Sequence, residues 1–265
     1  MARFAVGVPL ILLFASVAFA QNPPQSDPQA VSFASQSIAA LTGGQAIKDV
    51  TLTGDVTWSG GGSPETGTGA LMAKGTAESR VDLNLSGGLR SDIRNDSAGY
   101  PQGATSVNGG KQQAWALHNC WINASWFFPA LSFLGTTSDP SLVFSYVGQE
   151  SRNGRTVQHL RIYRHLTGPK PDAVALTQQL STLDVYLDAG TLLPLAFDFN
   201  MHPDDDAKTN NPVEIDFSNY QSMNGVQVPL HLQKFMQGSL ALDVVVTSAV
   251  FNSGLSESLF AIQGR

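Results

Sequence analysis

The sequence predicts an α+β protein that is mainly β, organised on one antiparallel sheet. Three observations lead there. Apolar residues recur at every second position in run after run between Val50 and Val246, the period of strands with one dry and one wet face. The dipeptides Asn153-Gly154, Ala189-Gly190 and Asn224-Gly225 stand between such runs, and their residues tolerate the positive φ of tight hairpin turns. No internal repeat and no linker divides the chain, so a single domain is expected.

The first twenty residues are set apart. Arg3, the apolar stretch from Phe4 to Phe19 and the ending Ala18-Phe19-Ala20 have the form of a secretory signal peptide cleaved after Ala20. A spanning helix needs about 20 apolar residues, and Pro9 with the small-x-small ending favours cleavage over retention as an anchor. Gln21 follows in place of a cysteine, so no lipid is expected on the new terminus. The expectation is a periplasmic or secreted protein of residues 21–265 with no stable membrane anchor.

Composition narrows the function classes. Hydrophobic residues make up 42% and charged residues 14%, a globular balance. A net charge of −6 argues against nucleic acid or an anionic membrane as partner. Cys120 is the single cysteine, which excludes an intramolecular disulfide and reads as a small buried hydrophobe.

In chain order, Asp27 has the character of an N-cap and Pro28 of a first helical residue. Val31, Ala34, Ile38 and Leu41 share one helical face, and Gly43-Gly44 ends the helix. Strands follow at Val50–Trp58, Gly69–Ala73, Val81–Leu85 and Leu89–Ile93, then loops around one short strand from Asn95 to Gly110. The aromatic-dense segment Trp121 to Phe133 is expected to be helical, bent or restarted by Pro129. Its aromatic residues serve either as core packing or as ligand contacts. Strands resume at Leu142–Tyr146 and Val157–Tyr163. A Pro-interrupted stretch from Thr167 to Leu180 holds a helical turn beginning at Asp172. Leu183–Leu187 is the next strand, and Leu193, Leu195, Phe197, Phe199 and Met201 form one unbroken strand face. After an acidic surface loop, His202 to Asn211, a meander runs through Val213–Phe217, Val226–Leu232 and Leu240–Val246.

Motifs for chemistry are missing. The five histidines show no H-E-x-x-H or other close ligand pair. His202-Pro203-Asp204-Asp205-Asp206 reads as a solvated acidic turn, because calcium needs six to eight oxygens from a shaped loop. G-x-S-x-G and a glycine-rich phosphate loop are absent. A non-enzyme without cofactor or metal is expected. Asn95 and Asn123 head glycosylation triplets, which matter only in a glycosylating host.

The order of parts resembles the bacterial periplasmic lipoprotein-carrier family (LolA/LolB-like). The resemblance rests on Tyr146-Val147-Gly148-Gln149-Glu150 before Asn153-Gly154, and on Val185-Tyr186-Leu187-Asp188 followed by Leu193-Pro194. It extends through Phe217-Ser218-Asn219-Tyr220, Asn224-Gly225-Val226-Gln227-Val228-Pro229 and the closing Asn252 to Phe260. It implies a strongly curved antiparallel sheet, an incomplete barrel, with helices packed on its concave face around an apolar cavity. It also implies a carrier of a lipid, an acylated protein or another amphiphile. The cavity candidates are Trp121, Trp126, Phe127, Phe128, Leu195, Phe197, Leu230 and Leu232. The family cavity holds an arginine on an early strand; Arg80, Arg90 and Arg94 compete for that place, and Arg90 is taken as the candidate. The alternative is a non-catalytic module that binds a cell-envelope protein through a sheet edge or face.

Overall fold

Thirteen strands pair into one antiparallel sheet among the described residues of this computed structural model, which are Met1, 24–167 and 170–263. The expected signal peptide and its cleavage after Ala20 lie outside the described residues, Met1 apart. The first six strands are β1 (Asp49–Trp58), β2 (Glu65–Lys74), β3 (Glu78–Leu85), β4 (Gly88–Asn95), β5 (Gln102–Val107) and β6 (Gln113–Ala114). The second set is β7 (Leu142–Arg152), β8 (Arg155–Arg164), β9 (Leu183–Asp188), β10 (Pro194–Met201), β11 (Asn211–Met223), β12 (Val226–Met236) and β13 (Ser239–Phe251). Each set is a meander in which neighbours in sequence are neighbours in space. The two meet where β1 pairs with β13, giving the order β6-β5-β4-β3-β2-β1-β13-β12-β11-β10-β9-β8-β7. The hairpins expected at Asn153-Gly154, Ala189-Gly190 and Asn224-Gly225 join β7 to β8, β9 to β10 and β11 to β12. Asn153 and Asn224 take φ of 50° and 53° there.

The sheet is strongly curved and does not close. Six strand steps separate β5 from β12, roughly 29 Å across a flat sheet, yet Thr105 on β5 and Lys234 on β12 line a single cleft. Only curvature brings them together. The concave face carries the core: Leu52 and Val56, Leu71, Leu83, Leu160, Val185, Phe197, Ile215, Val228 and Val244 all point into it.

α1 (Pro28–Thr42) lies on this face. Asp27 Oδ1 accepts from the Gln29 amide at 2.7 Å, and Gly43 ends the helix at φ 60°, as the sequence predicts. Ala34 and Leu41 are fully buried, with Val31 and Ile38 packed beside them. The start of the helix is tied to β7, where the Asp27 amide donates to the Phe144 carbonyl at 2.7 Å. Its end meets the β11–β12 turn, where Gln45 Nε2 donates to the Asn224 carbonyl at 2.8 Å. α2 (Pro171–Ser181) fills the connection from β8 to β9 and packs on β8 and β10.

The segment Trp121 to Phe133 shares the concave side with α1 but is not the expected helix. It is irregular chain that follows a 3-10 turn at Leu117–Cys120, contains one at Pro129–Leu131 and runs into one at Phe133–Gly135. Pro129 removes one backbone donor, and serine hydroxyls compete for the carbonyls. Ser125 Oγ donates to Leu131 O at 2.5 Å and Ser132 Oγ to Pro129 O at 2.7 Å, so local side-chain bonds replace helical ones.

The expected face on β10 is broken. The register between β9 and β10 shifts between Pro194 and Ala196. Leu195 is the extra residue of this bulge and sits half-buried outside the core cluster, while Phe197 and Phe199 remain inside it.

The β1–β13 seam has its own irregularity. Thr53 pairs with Ser248 but Gly54 with Val246, so Thr247 is the extra residue. A Cβ on Gly54 would run into the Val245 carbonyl, which is backbone and cannot swing away. Gly54→Ala is therefore expected to destabilise by about 1–3 kcal/mol, the range of an overpacked site. Urea unfolding measures this, and a loss below about 0.5 kcal/mol would show that the seam yields.

Candidate functional site

On the concave side, toward the β6 end of the sheet, the core gives way to a cleft of ≈ 450 Å³. Three indoles form its walls. Trp58 continues the inward face of β1 after Val50, Leu52 and Val56, while Trp115 follows β6 and Trp126 belongs to the irregular segment. All three are half-buried, and Val81, Leu83 and Leu242 complete the apolar lining. Large apolar surface left half-wet on a concave face is the usual form of a small-molecule site.

Each indole carries a cation. Arg90 lies 5.2 Å from the Trp58 ring centroid, Arg94 5.5 Å from that of Trp115, and Lys234 Nζ 4.8 Å from that of Trp126. Such contacts are worth about 0.5–2 kcal/mol according to desolvation. Arg90, Asp92 and Arg94 alternate along β4 and so share its inward face. Arg94 is buried and donates to the carbonyls of Cys120 at 2.5 Å and Ile122 at 3.0 Å, which pins the aromatic segment to the sheet. Burial pushes its pKa down from the ordinary arginine value. Asp92 accepts from Thr105 Oγ1 at 2.5 Å and lies 3.4 Å from Arg90 Nη2. Thr105 in turn accepts from Trp115 Nε1 at 2.8 Å, so the far wall is one connected set.

Lys234 was not legible as a site residue from composition, but a signal exists. It continues the inward series Val226, Val228, Leu230, Leu232 on β12, where a charge on a dry face is anomalous. Burial lowers its pKa, with Asp92 opposing that and Arg94 and Arg90 adding to it. Trp115, absent from the sequence expectations, lies beside Gly103, where a Cβ would strike its ring.

The cavity candidates separate into groups. Trp126 and Arg90 line the cleft. Phe127, Phe128, Phe197 and Leu232 belong to the packed core and not to the cleft wall, each 1% exposed or less. Phe127 meets the Trp126 edge at 5.5 Å, and Phe128 lies 5.9 Å from Phe251. Leu230 is half-buried against the core, and bulged Leu195 lies outside it. Trp121 lines a separate cavity of ≈ 280 Å³ with Arg94, Phe133 and Arg164. Of the competing arginines, Arg80 pairs with Asp82 at 2.9 Å away from the cleft.

One end of the cleft is closed by the loop after β10. Asn119 Oδ1 accepts from the His202 amide and Asn119 Nδ2 donates to the His202 carbonyl, both at 2.8 Å. His202 is therefore buried, although its loop was expected at the surface, and burial lowers its pKa. Asn95 and Asn123 are also buried, so neither triplet presents its amide to solvent. Among the described residues no group of three His, Cys, Asp or Glu is placed to hold a metal ion, and no helix is long and apolar enough to cross a membrane.

The convex face carries a second polar constellation, spread over β7 to β11. Arg152 donates to Asp198 at 2.9 and 3.0 Å, approaches Glu214 at 2.6 Å and lies 4.1 Å from the Tyr186 ring centroid. Burial works against its charge, but these carboxylates raise its pKa above the ordinary value. His159 stacks on Tyr186 at 4.4 Å, with Asp184 2.9 Å and Glu150 3.2 Å from its two ring nitrogens. This set is lateral bracing between strands. Within it Asp216 is pushed up to about 6, first by burial and then by neighbouring Glu214. An acid whose folded pKa is raised stabilises the fold below its unfolded pKa, and that stability is lost as pH rises through about 6. Asp216→Asn should thus be more stable than the unmutated protein at pH 7, by on the order of 1 kcal/mol after allowance for partial exposure. The gap should close toward pH 4. Urea unfolding at both pH values isolates this from the opposite drift of His202, which both proteins share; a gap independent of pH would rule out titration as its cause.

Comparison with known proteins adds the fold. No protein-family model matches the chain, and no curated protein matches it by sequence. Solved structures do. A domain named for outer membrane lipoprotein sorting from Vibrio parahaemolyticus is 14% identical with a TM-score of 0.54, over 88% of this chain and 96% of that one. A DUF1329 family protein from Desulfovibrio piger is 13% identical with a TM-score of 0.54, over 91% and 100%. A LolA superfamily protein from Nitrosomonas europaea is 9% identical with a TM-score of 0.54, over 88% and 97%. The chain has a LolA-like fold. At these identities the likeness is one of architecture.

Proposed function

We propose that this protein is an exported periplasmic carrier that holds a lipid, an acylated protein or another amphiphile with its apolar part against the indoles of the cleft. The observation that carries this reading is the cleft itself: three half-exposed tryptophans face one another across ≈ 450 Å³ on the concave side of an open half-barrel. Burying each methylene of an acyl chain there is worth about 0.8 kcal/mol, enough for useful affinity from a short segment. The LolA-like fold, shared with a domain named for lipoprotein sorting, agrees with it. The chemistry is binding and release, with no catalytic step assigned.

Trp126→Ala tests the reading. Half-exposed Trp126 should cost well under the about 3–5 kcal/mol of a buried aromatic truncation, while uptake of a fluorescent fatty acid falls at least tenfold. Phe128→Ala, fully buried, should show the opposite balance, with that full cost in stability. Native mass spectrometry of the purified protein should also show co-purified lipid. No uptake by the unmutated protein would sink the carrier reading.

One observation favours the alternative, a cell-envelope protein-interaction module. Among the described residues β7 is an edge strand paired only with β8. Ser26 and Asp27 occupy its outer edge at Phe144, but Val147, the extra residue of the register shift between Tyr146 and Gly148, is exposed. A partner strand could add there.

A further inference from the structure

Two cations and a half-buried carboxylate line the cleft. Arg90 on β4 and Lys234 on β12 converge on it because the sheet curves, with Asp92 as the acidic group beside them, while Arg94, over the Trp115 ring, lines the separate cavity. Asp92 is already engaged by Arg90 at 3.4 Å and by the Thr105 hydroxyl. Asp204 lies at the rim, exposed to solvent. The guanidinium of Arg94 is taken up by two backbone carbonyls. The Lys234 ammonium makes no hydrogen bond or ion pair among the described residues and lies over the Trp126 ring.

A partly buried ammonium without a counter-charge is unfavourable, since burial strips its water and the nearby arginines repel it. A lysine needed only to pack its stem beside Trp126 could extend its head to solvent, as lysines at apolar margins commonly do. Lys234 instead sits on the inward face of a strand, with its Nζ 4.8 Å from the Trp126 ring centroid and inside the lining of the cleft. We infer that the cleft takes an amphiphile with an anionic head, a carboxylate or a phosphate monoester, seated on Lys234 with Arg90 beside it and its chain along Trp58 and Trp126. This rests on the carrier reading and adds the substrate class to it. The bound anion supplies the missing counter-charge, and that would return the Lys234 ammonium toward its ordinary affinity for protons.

The test is a ligand series of constant chain and varied head. Dodecanoate, dodecyl phosphate, dodecanol and dodecyltrimethylammonium would each displace a fluorescent naphthylamine probe from the purified protein, all below their micellar concentrations. One or both anions should bind at least tenfold tighter than dodecanol, and the cation weakest; the tighter anion identifies the source of the head group. Lys234→Met should abolish the preference for the anion, so that anion and alcohol bind alike, and Lys234→Arg should keep it. Equal binding of dodecanol and both anions, or a preference that survives Lys234→Met, overturns the inference and leaves the carrier reading standing. Failure of every amphiphile to displace the probe overturns both. Should Lys234→Met not fold, Lys234→Gln carries the same comparison, and the series on the unmutated protein decides by itself between preference and none.

Discussion

The antiparallel pairing of β1 with β13 is the constraint on which the rest depends. Every other strand pair in the sheet links consecutive strands, so each can form from a local stretch of chain. The seam alone joins residues about two hundred positions apart, such as Val50 to Phe251 and Trp58 to Leu242. Closing so long a loop is entropically costly, and the ladder must be reinforced at its ends. Asp49 does this: its carboxylate, buried at the start of β1, accepts from the Ser253 amide at 2.8 Å, the Ser253 hydroxyl at 3.0 Å and the Gly254 amide at 3.0 Å. Asn252, at φ 55°, accepts from the Lys48 amide at 2.7 Å and donates to the Ala46 carbonyl at 3.0 Å. Without the seam there would be two meanders, each with an open apolar face.

The seam also makes the cleft. Trp58 stands at the end of β1 opposite Leu242 of β13, so the junction places one indole at the centre of the curved face. β4 and β5 approach from one side and β12 from the other. The bulge at Thr247 lies within this seam, and an extra residue in one strand increases local twist and bend. Curvature then does chemically what no single strand could do: it sets Arg90, Asp92 and Lys234 around one volume although five strand steps separate their strands.

The two faces divide the work. On the convex side, charges are matched in chains such as Arg152 with Asp198 and Glu214, where solvent and neighbours satisfy them and they brace adjacent strands. On the concave side, Phe127, Phe128, Phe133 and α1 fill the middle of the half-barrel and leave the region near β5 and β12 open. Charges there are few and imperfectly matched. A packed centre with an unfilled, unevenly charged end tells against a cavity running the length of the sheet.

The strands, their dry faces and three of the hairpins were legible in the residues alone, because period-two alternation and Asn-Gly turns act through local backbone geometry. Asp27, Pro28 and Gly43 marked α1 for the same reason. Trp126 and Arg90 stood out by type, one as an excess aromatic residue and one by resemblance. What the residues could not decide was everything that depends on distant partners. The helical pattern from Trp121 to Phe133 yielded to serine-carbonyl bonds and to Arg94, and the even alternation on β10 hid the bulge that turns Leu195 away. Phe127 and Phe128 are as aromatic as Trp126, and only the sheet beneath them determines which ring is buried and which faces the void. Lys234 reads locally as one polar residue near the end of a strand. Its meaning comes from the curvature that carries β4 and β5 over to it, a consequence of the β1–β13 seam that no stretch of the chain contains by itself.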